Sequence, residues 1–236
     1  MPSEPTPRIA LIHALEESVL PARAAFAAHW PQARCFDLLD SSLAVDLADA
    51  GRLEEDMMQR FQDLAHYATR HPGKGGHTRA ILFTCSAFGP AIDAVKARLP
   101  MPVLRPNEAA FEQALELGTT LGILVTFDPS RESLAAELQA LAAARGRRVT
   151  VKTRVADGAL AALKAGDTAA HDRLAAEASR DFGPVDALIL GQFSLARAAE
   201  EVRRAVAVPV LTTPDCAVRA LRNRLAQRGL ESASRS

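Results

Sequence analysis

Cys85 is the side chain of this sequence best suited to moving a proton or attacking carbon, and its counterpart 107 positions later is Gln192. Ile81-Leu82-Phe83-Thr84-Cys85 aligns without a gap on Leu188-Ile189-Leu190-Gly191-Gln192, and Pro102-Val103-Leu104 aligns at the same offset on Pro209-Val210-Leu211. Between these anchors Asp93, Val95 and Lys96 fall on Glu200, Val202 and Arg203. One half-domain is therefore written twice, and two related lobes facing each other would present Cys85 and Gln192 from opposite sides of one cleft. A thiol exchanges its proton in the working pH range, whereas a carboxamide donates and accepts hydrogen bonds but carries no titratable proton near pH 7. Cys85 stands between an apolar strand and a helix expected to begin near Phe88. A helix N-terminus lowers a thiol from about 8.5 into the range ~3.5–7.5, so a depressed pKa is expected.

The elements that must position these residues follow from the hydrophobic pattern. Short apolar runs alternate with longer Ala-, Leu-, Glu- and Arg-rich helical stretches, the pattern of βαβ units around parallel sheets covered on both faces. Four runs per lobe read as strands: Ile9 to His13, Ala33 to Leu39, Ala80 to Thr84 and Val103 to Arg105, then Leu121 to Thr126, Arg148 to Arg154, Ala187 to Leu190 and Val208 to Leu211. Leu134, Leu138 and Leu141 form one helical stripe and Leu53, Met57, Phe61 and Leu64 another, both read as core. The fold class is α/β, with a first lobe over 1–117, a second over 118–212 and a C-terminal helix within 213–236 that packs back on the first lobe. No Gly/Ser/Pro-rich linker separates the lobes.

In open parallel sheets the ligand lies beyond the carboxyl ends of the strands. The residues there are His13, Cys85-Ser86-Ala87, Asn107, Thr126, Gln192-Phe193-Ser194 and Thr212-Thr213. Backbone N–H groups of Ser86 and Ala87, with the Ser86 and Thr126 hydroxyls, are candidates to hold a developing enediolate. Gln192 and Ser194 are candidates for hydrogen bonding, and His13 for a polar substrate contact. Asn107, just before Glu108, reads as a helix cap or a substrate contact. Cys35, in mid-strand, and Cys216, whose counterpart at the same offset is Ala109, read as packed thiols. His71-Pro72-Gly73-Lys74-Gly75-Gly76-His77 precedes a strand and lacks phosphate-loop spacing, so it reads as an ordinary loop.

Lys plus Arg and Asp plus Glu each number 28, so the formal charge is zero and nothing favours nucleic acid or an anionic membrane. No run approaches the ~20 apolar residues of a membrane span. Three widely spaced cysteines point away from a disulfide framework and toward a reducing, cytoplasmic setting. No His, Cys, Asp and Glu spacing suggests a metal, and no GxGxxG follows the first strand. The expected partner is a small molecule; self-association is left open.

The run Ile81-Leu82-Phe83-Thr84-Cys85-Ser86-Ala87-Phe88-Gly89-Pro90, the repeated lobes and the paired Pro-Val-Leu strands resemble the aspartate/glutamate/hydantoin racemase superfamily, which includes arylmalonate decarboxylase and maleate isomerase. The resemblance covers nearly the whole chain. It implies two pseudo-symmetric α/β lobes, each a four-stranded parallel sheet flanked by helices, with the site in the cleft between them and no cofactor. It also implies a cysteine after the third strand of each lobe, one removing and the other delivering the α-proton. Cys85 matches the first of that pair, and Gln192 occupies the place of the second. The implied activity is single-thiol proton transfer at the carbon next to a carboxylate or cyclic amide of a small acid. Decarboxylation or cis-trans isomerisation of a small di-acid is the alternative, and a non-catalytic small-acid binding protein is the rival of another class.

Overall fold

A computed structural model of the chain describes residues 6–233. Its first sheet contains β1 (Arg8–His13), β2 (Arg34–Leu39), β3 (Thr78–Phe83) and β4 (Val103–Leu104), in the order β2-β1-β3-β4 with every pair parallel. Its connecting helices are α1 (Val19–His29), α2 (Ser42–Ala50), α3 (Glu55–Arg70) and α4 (Gly89–Arg98). The central strands read as unbroken apolar runs because both faces are covered: Ile9, Ala10, Leu11, Ala80, Ile81 and Leu82 are fully buried. Phe61 of α3 stacks on Phe83 at 5.3 Å between ring centroids and meets Phe88 at 4.8 Å. Each such side chain taken from water contributes roughly 1.5–3 kcal/mol, and this cluster lies directly beneath the end of β3.

The second sheet repeats the design. After α5 (Glu108–Leu117) come β5 (Thr120–Val125), α6 (Pro129–Ala144), β6 (Thr150–Val155), α7 (Ala159–Lys164), α8 (Thr168–Ser179), β7 (Ala187–Leu190), α9 (Ala199–Ala205) and β8 (Val210–Thr212). The strand order β6-β5-β7-β8 is again all parallel. Leu134 and Leu138 of α6 are buried as their spacing predicts, while Leu141 is only partly covered.

Contacts divide the described residues into one unit drawn from Met1–Pro106 and Ala217–Ser236, and a second formed by Asn107–Cys216. The division falls ahead of α5, whereas the sequence places it after this helix at 117. Helix α5 packs on β7, β8 and α6, which draws it into the second unit. Helix α10 (Thr213–Ala233) starts in the second unit, and its later part belongs with the first. There Arg222 Nη1 donates to the His29 carbonyl at 3.2 Å, and Arg228 reaches the Pro100 carbonyl.

The order β2-β1-β3-β4 fixes where a ligand can sit. The chain leaves β1 toward one edge and returns across it to build β3 on the other side, so the covering connections part at the carboxyl ends of β1 and β3. In the second sheet they part at the ends of β5 and β7. Such switch points are the ligand-binding crevices of open α/β sheets.

Gly191 gives the second switch point its shape. A Cβ there would stand 2.9 Å from Ile123 Cγ2 and 3.2 Å from the Leu124 carbonyl oxygen, and the backbone oxygen cannot step aside. Gly191→Ala is therefore expected to cost ~1–3 kcal/mol as overpacking does, read as a lower urea midpoint with an unchanged slope.

Candidate active site at the strand ends

In the first unit Cys85 follows β3 with an extended backbone, and a single 3-10 turn over Ser86–Phe88 separates it from α4. The expected depression of its pKa is not found. The residue is half-buried and packs on the first-unit core, and burial pushes the thiol up to about 11 while the Ala87 N–H, donating to sulfur, pulls the other way. The helix dipole acts only within its first turn, and α4 begins four residues beyond Cys85. At pH 7 the resting residue is a neutral S–H, with thiolate at about one part in 10⁴. The Ala87 N–H, expected to serve a developing oxyanion, serves the sulfur instead.

Behind Cys85 lies a buried polar chain. His13 is fully buried at the end of β1, where its Nε2 pairs with Asp37 Oδ1 at 3.1 Å and its Nδ1 faces Thr84 Oγ1 at 2.8 Å and Ser18 Oγ at 3.0 Å. Asp37 accepts from Arg23 Nε at 2.7 Å. Burial lowers the His13 pKa against the opposing pull of Asp37, so the ring rests neutral at pH 7. A carboxylate only accepts, which puts the ring proton on Nε2 and makes Nδ1 an acceptor. Ser18 donates to the Leu15 carbonyl at 2.7 Å, which leaves the Thr84 hydroxyl to donate to Nδ1. Both nitrogens of His13 are thus engaged inside the unit, tying the end of β1 to the residue preceding Cys85.

In the second unit the sequence candidates Thr126 and Gln192 meet at the β5/β7 switch point. Gln192 Oε1 receives the Thr126 N–H at 2.6 Å and the Thr126 hydroxyl at 2.8 Å. Both Thr126 donors are therefore spent on Gln192 and not on a ligand. Turning the amide over would set its NH₂ against a backbone N–H and orphan that buried donor, a loss of ~1–3 kcal/mol. Ser194 is half-buried in the 3-10 turn after Gln192, and Ser86 is half-buried after Cys85.

Asn107 is 1% exposed and leads α5, yet its side chain makes no capping bond, and its Oδ1 has no partner among the described residues. The capping role that the sequence suggests for it is not observed. Thr213 Oγ1, at the start of α10, is likewise buried without a partner among the described residues. Cys35 is pushed up to about 12 by burial with Asp37 adding. Cys216 is buried and donates to Gln113 Oε1 at 3.2 Å, so neither competes with Cys85. Among the described residues no group of His, Cys, Asp and Glu is arranged to hold a metal ion, and no helix is long and apolar enough to cross a membrane. A depression of about 460 Å³ beside α8 and α9 is lined by Asp172, Arg173, Glu177, Glu201 and Arg204, side chains already tied up in ion pairs, and lies away from the strand ends.

The network Ser18, Asp37 and Thr84 was not legible as part of the site, since each is a common residue type whose meeting with His13 depends on strand order. Asp37, two residues from Cys35 in an edge strand, carried no spacing signal.

The model of the Asp/Glu/hydantoin racemase family matches residues 20–221. The fold is shared with glutamate racemase isoform RacE1 from Bacillus anthracis, at a TM-score of 0.69 and 13% identity over 96% of this chain and 84% of that one. It is also shared with allantoin racemase from Pseudomonas fluorescens, at a TM-score of 0.67 and 20% identity over 94% and 92%, and with an aspartate racemase homologue from Pyrococcus horikoshii, at 0.67 and 16% over 93% and 99%. No curated protein sequence matches the chain. The paired four-stranded parallel sheets are those of the racemase class, and the chain belongs to the Asp/Glu/hydantoin racemase family.

A neutral Cys85 makes a definite kinetic prediction. Its alkylation by iodoacetamide should be slow at pH 7 and rise about tenfold per pH unit to a plateau near 11. Peptide mapping of the Cys85 adduct against pH checks this, and a plateau at pH 8 or below would contradict it.

Proposed function

We propose that this chain is a cofactor-independent enzyme that moves one proton at the carbon next to a carboxylate or cyclic amide carbonyl of a small acid, with Cys85 as the only proton carrier. The observation that carries this reading is the asymmetry of the two switch points: the first ends in a thiol, the second in a carboxamide held by Thr126. In the protonating direction the Cys85 S–H bond breaks, the proton passes to the α-carbon of an enediolate, and the enediolate electrons close the new C–H bond while the carboxylate re-forms. The thiolate left behind recovers a proton from water. Abstraction from a substrate is the same step reversed and needs the thiolate.

Ser86, Ser194 and Asn107 are proposed as further substrate contacts from their places at the strand ends. His13, both of whose nitrogens are used within the fold, would position Thr84 and thereby Cys85. The balanced charge and free thiols support a small-molecule partner and a cytoplasmic setting.

A second reading has its own support. A thiol resting as S–H, with no base at Gln192, suits a reaction that supplies the carbanion without proton abstraction. In decarboxylation of a malonate-type acid the C–C bond breaks, CO₂ leaves, the electron pair stays as the enediolate, and Cys85 supplies the proton.

Proton NMR in D₂O with a panel of amino acids, hydantoins, arylmalonates and maleate separates these reactions. Wild type should exchange an α-proton or release CO₂ from one class of acid, and Cys85→Ser should reduce that rate by roughly 10²–10⁴-fold, the usual worth of a positioned acid or base. Equal rates in the two proteins would remove Cys85 from the chemistry, and no reaction across the panel by folded protein would favour a binding protein.

A further inference from the structure

Gln192 holds a second piece of information, which rests on the small-acid reading but concerns recognition rather than the proton. The atom 2.6 Å from the Thr126 nitrogen must be an acceptor, because a backbone N–H can only donate. The Thr126 hydroxyl, 2.8 Å away, adds its own proton to the same oxygen. The polarity of the amide is thereby set, and Nε2, with two N–H donors, makes no hydrogen bond among the described residues. The residue is half-buried at the β5/β7 switch point, on the loop that leaves a fully buried strand. Gly191 before it is packed closely against Ile123 and the Leu124 carbonyl, and Phe193 after it is buried.

We infer that Gln192 is the specificity-determining residue of the second lobe: Thr126 locks its amide so that Nε2 donates to an oxygen of the ligand, selecting a carboxylate or carbonyl group at this position and rejecting an ammonium or N–H group. A donor that cannot turn over reads acceptors only, whereas a free carboxamide would accept either. Acids with two acceptor groups on one carbon or on neighbouring carbons are the class this favours, one of those groups being the acceptor for Gln192 Nε2.

Two substitutions separate recognition from structure. Glu in place of Gln192 keeps an oxygen for both Thr126 donors and turns the other, negatively charged oxygen toward the ligand. Met keeps the bulk and loses everything polar. Thermal stability should therefore rank wild type and Gln192→Glu together, above Gln192→Met. Affinity for the probes phenylmalonate and L-aspartate, measured by calorimetry, should rank in another order. Gln192→Met should weaken binding roughly 10–100-fold, as loss of a hydrogen bond to a charged group does, and Gln192→Glu should weaken it further. Binding by Gln192→Glu equal to that of wild type would reduce Gln192 to a structural role and overturn the inference. Failure of wild type to bind either acid would overturn it too. Because Cys85→Ser retains Gln192, it should bind the probes like wild type, so loss of turnover in that variant tests the proton step separately from recognition.

Discussion

A backbone N–H can donate but never accept, and that asymmetry at Thr126 sets the chemistry of the second half of the molecule. It turns the oxygen of Gln192 toward Thr126 and leaves the NH₂ without a hydrogen-bond partner among the described residues. The contact exists because β5 and β7 pair in parallel, with Leu124 opposite Leu190, so that Thr126 and Gln192 both emerge at the same sheet end. Gly191 lets the chain turn there against Ile123 and the Leu124 carbonyl without a clash. A thiol in place of Gln192 would carry a proton; the amide carries only directionality.

The first half answers with a different use of the same geometry. β1 and β3 pair with Ile12 opposite Phe83, and the hydrogen-bond ladder continues from Thr84 N–H to the Ile12 carbonyl at 3.0 Å. At the sheet end the Arg23–Asp37–His13–Thr84 chain replaces the Thr126–Gln192 pair. The apolar cluster of Phe61, Phe83 and Phe88 lies under Cys85 and removes the water that would stabilise a thiolate. Desolvation therefore decides the resting state of the thiol, against the weaker pull of one backbone N–H. A resting S–H is a donor in waiting, and a base only after something raises its thiolate population.

Much of the fold was legible because it rests on local periodicity and on repetition. The eight strands were readable as short β-type runs, and the offset that pairs Cys85 with Gln192 also pairs the strands that carry them. What sequence could not supply depended on long-range placement. Thr126 and Gln192 were each recognisable at strand ends, but their mutual hydrogen bond, which withdraws Thr126 from ligand duty, needs the β5–β7 pairing. The same holds for His13, whose partners come from β2, β3 and the turn before α1. The pKa of Cys85 departs from the sequence expectation because burial outweighs the single N–H donor at Ala87, and a 3-10 turn stands between Cys85 and α4. The place of α5 followed its packing on β7 and β8, which no linker composition announces.

The central proposal is that Cys85 is the single proton carrier and that Gln192, an amide, carries none. It is tested most directly in D₂O by following, for one enantiomer of an acid that exchanges its α-proton, deuterium incorporation by NMR alongside loss of optical activity. A single carrier at Cys85 predicts deuterium entering with retained configuration, exchange running well ahead of racemisation. Racemisation keeping pace with exchange would require a second proton carrier and would contradict the assignment of Gln192.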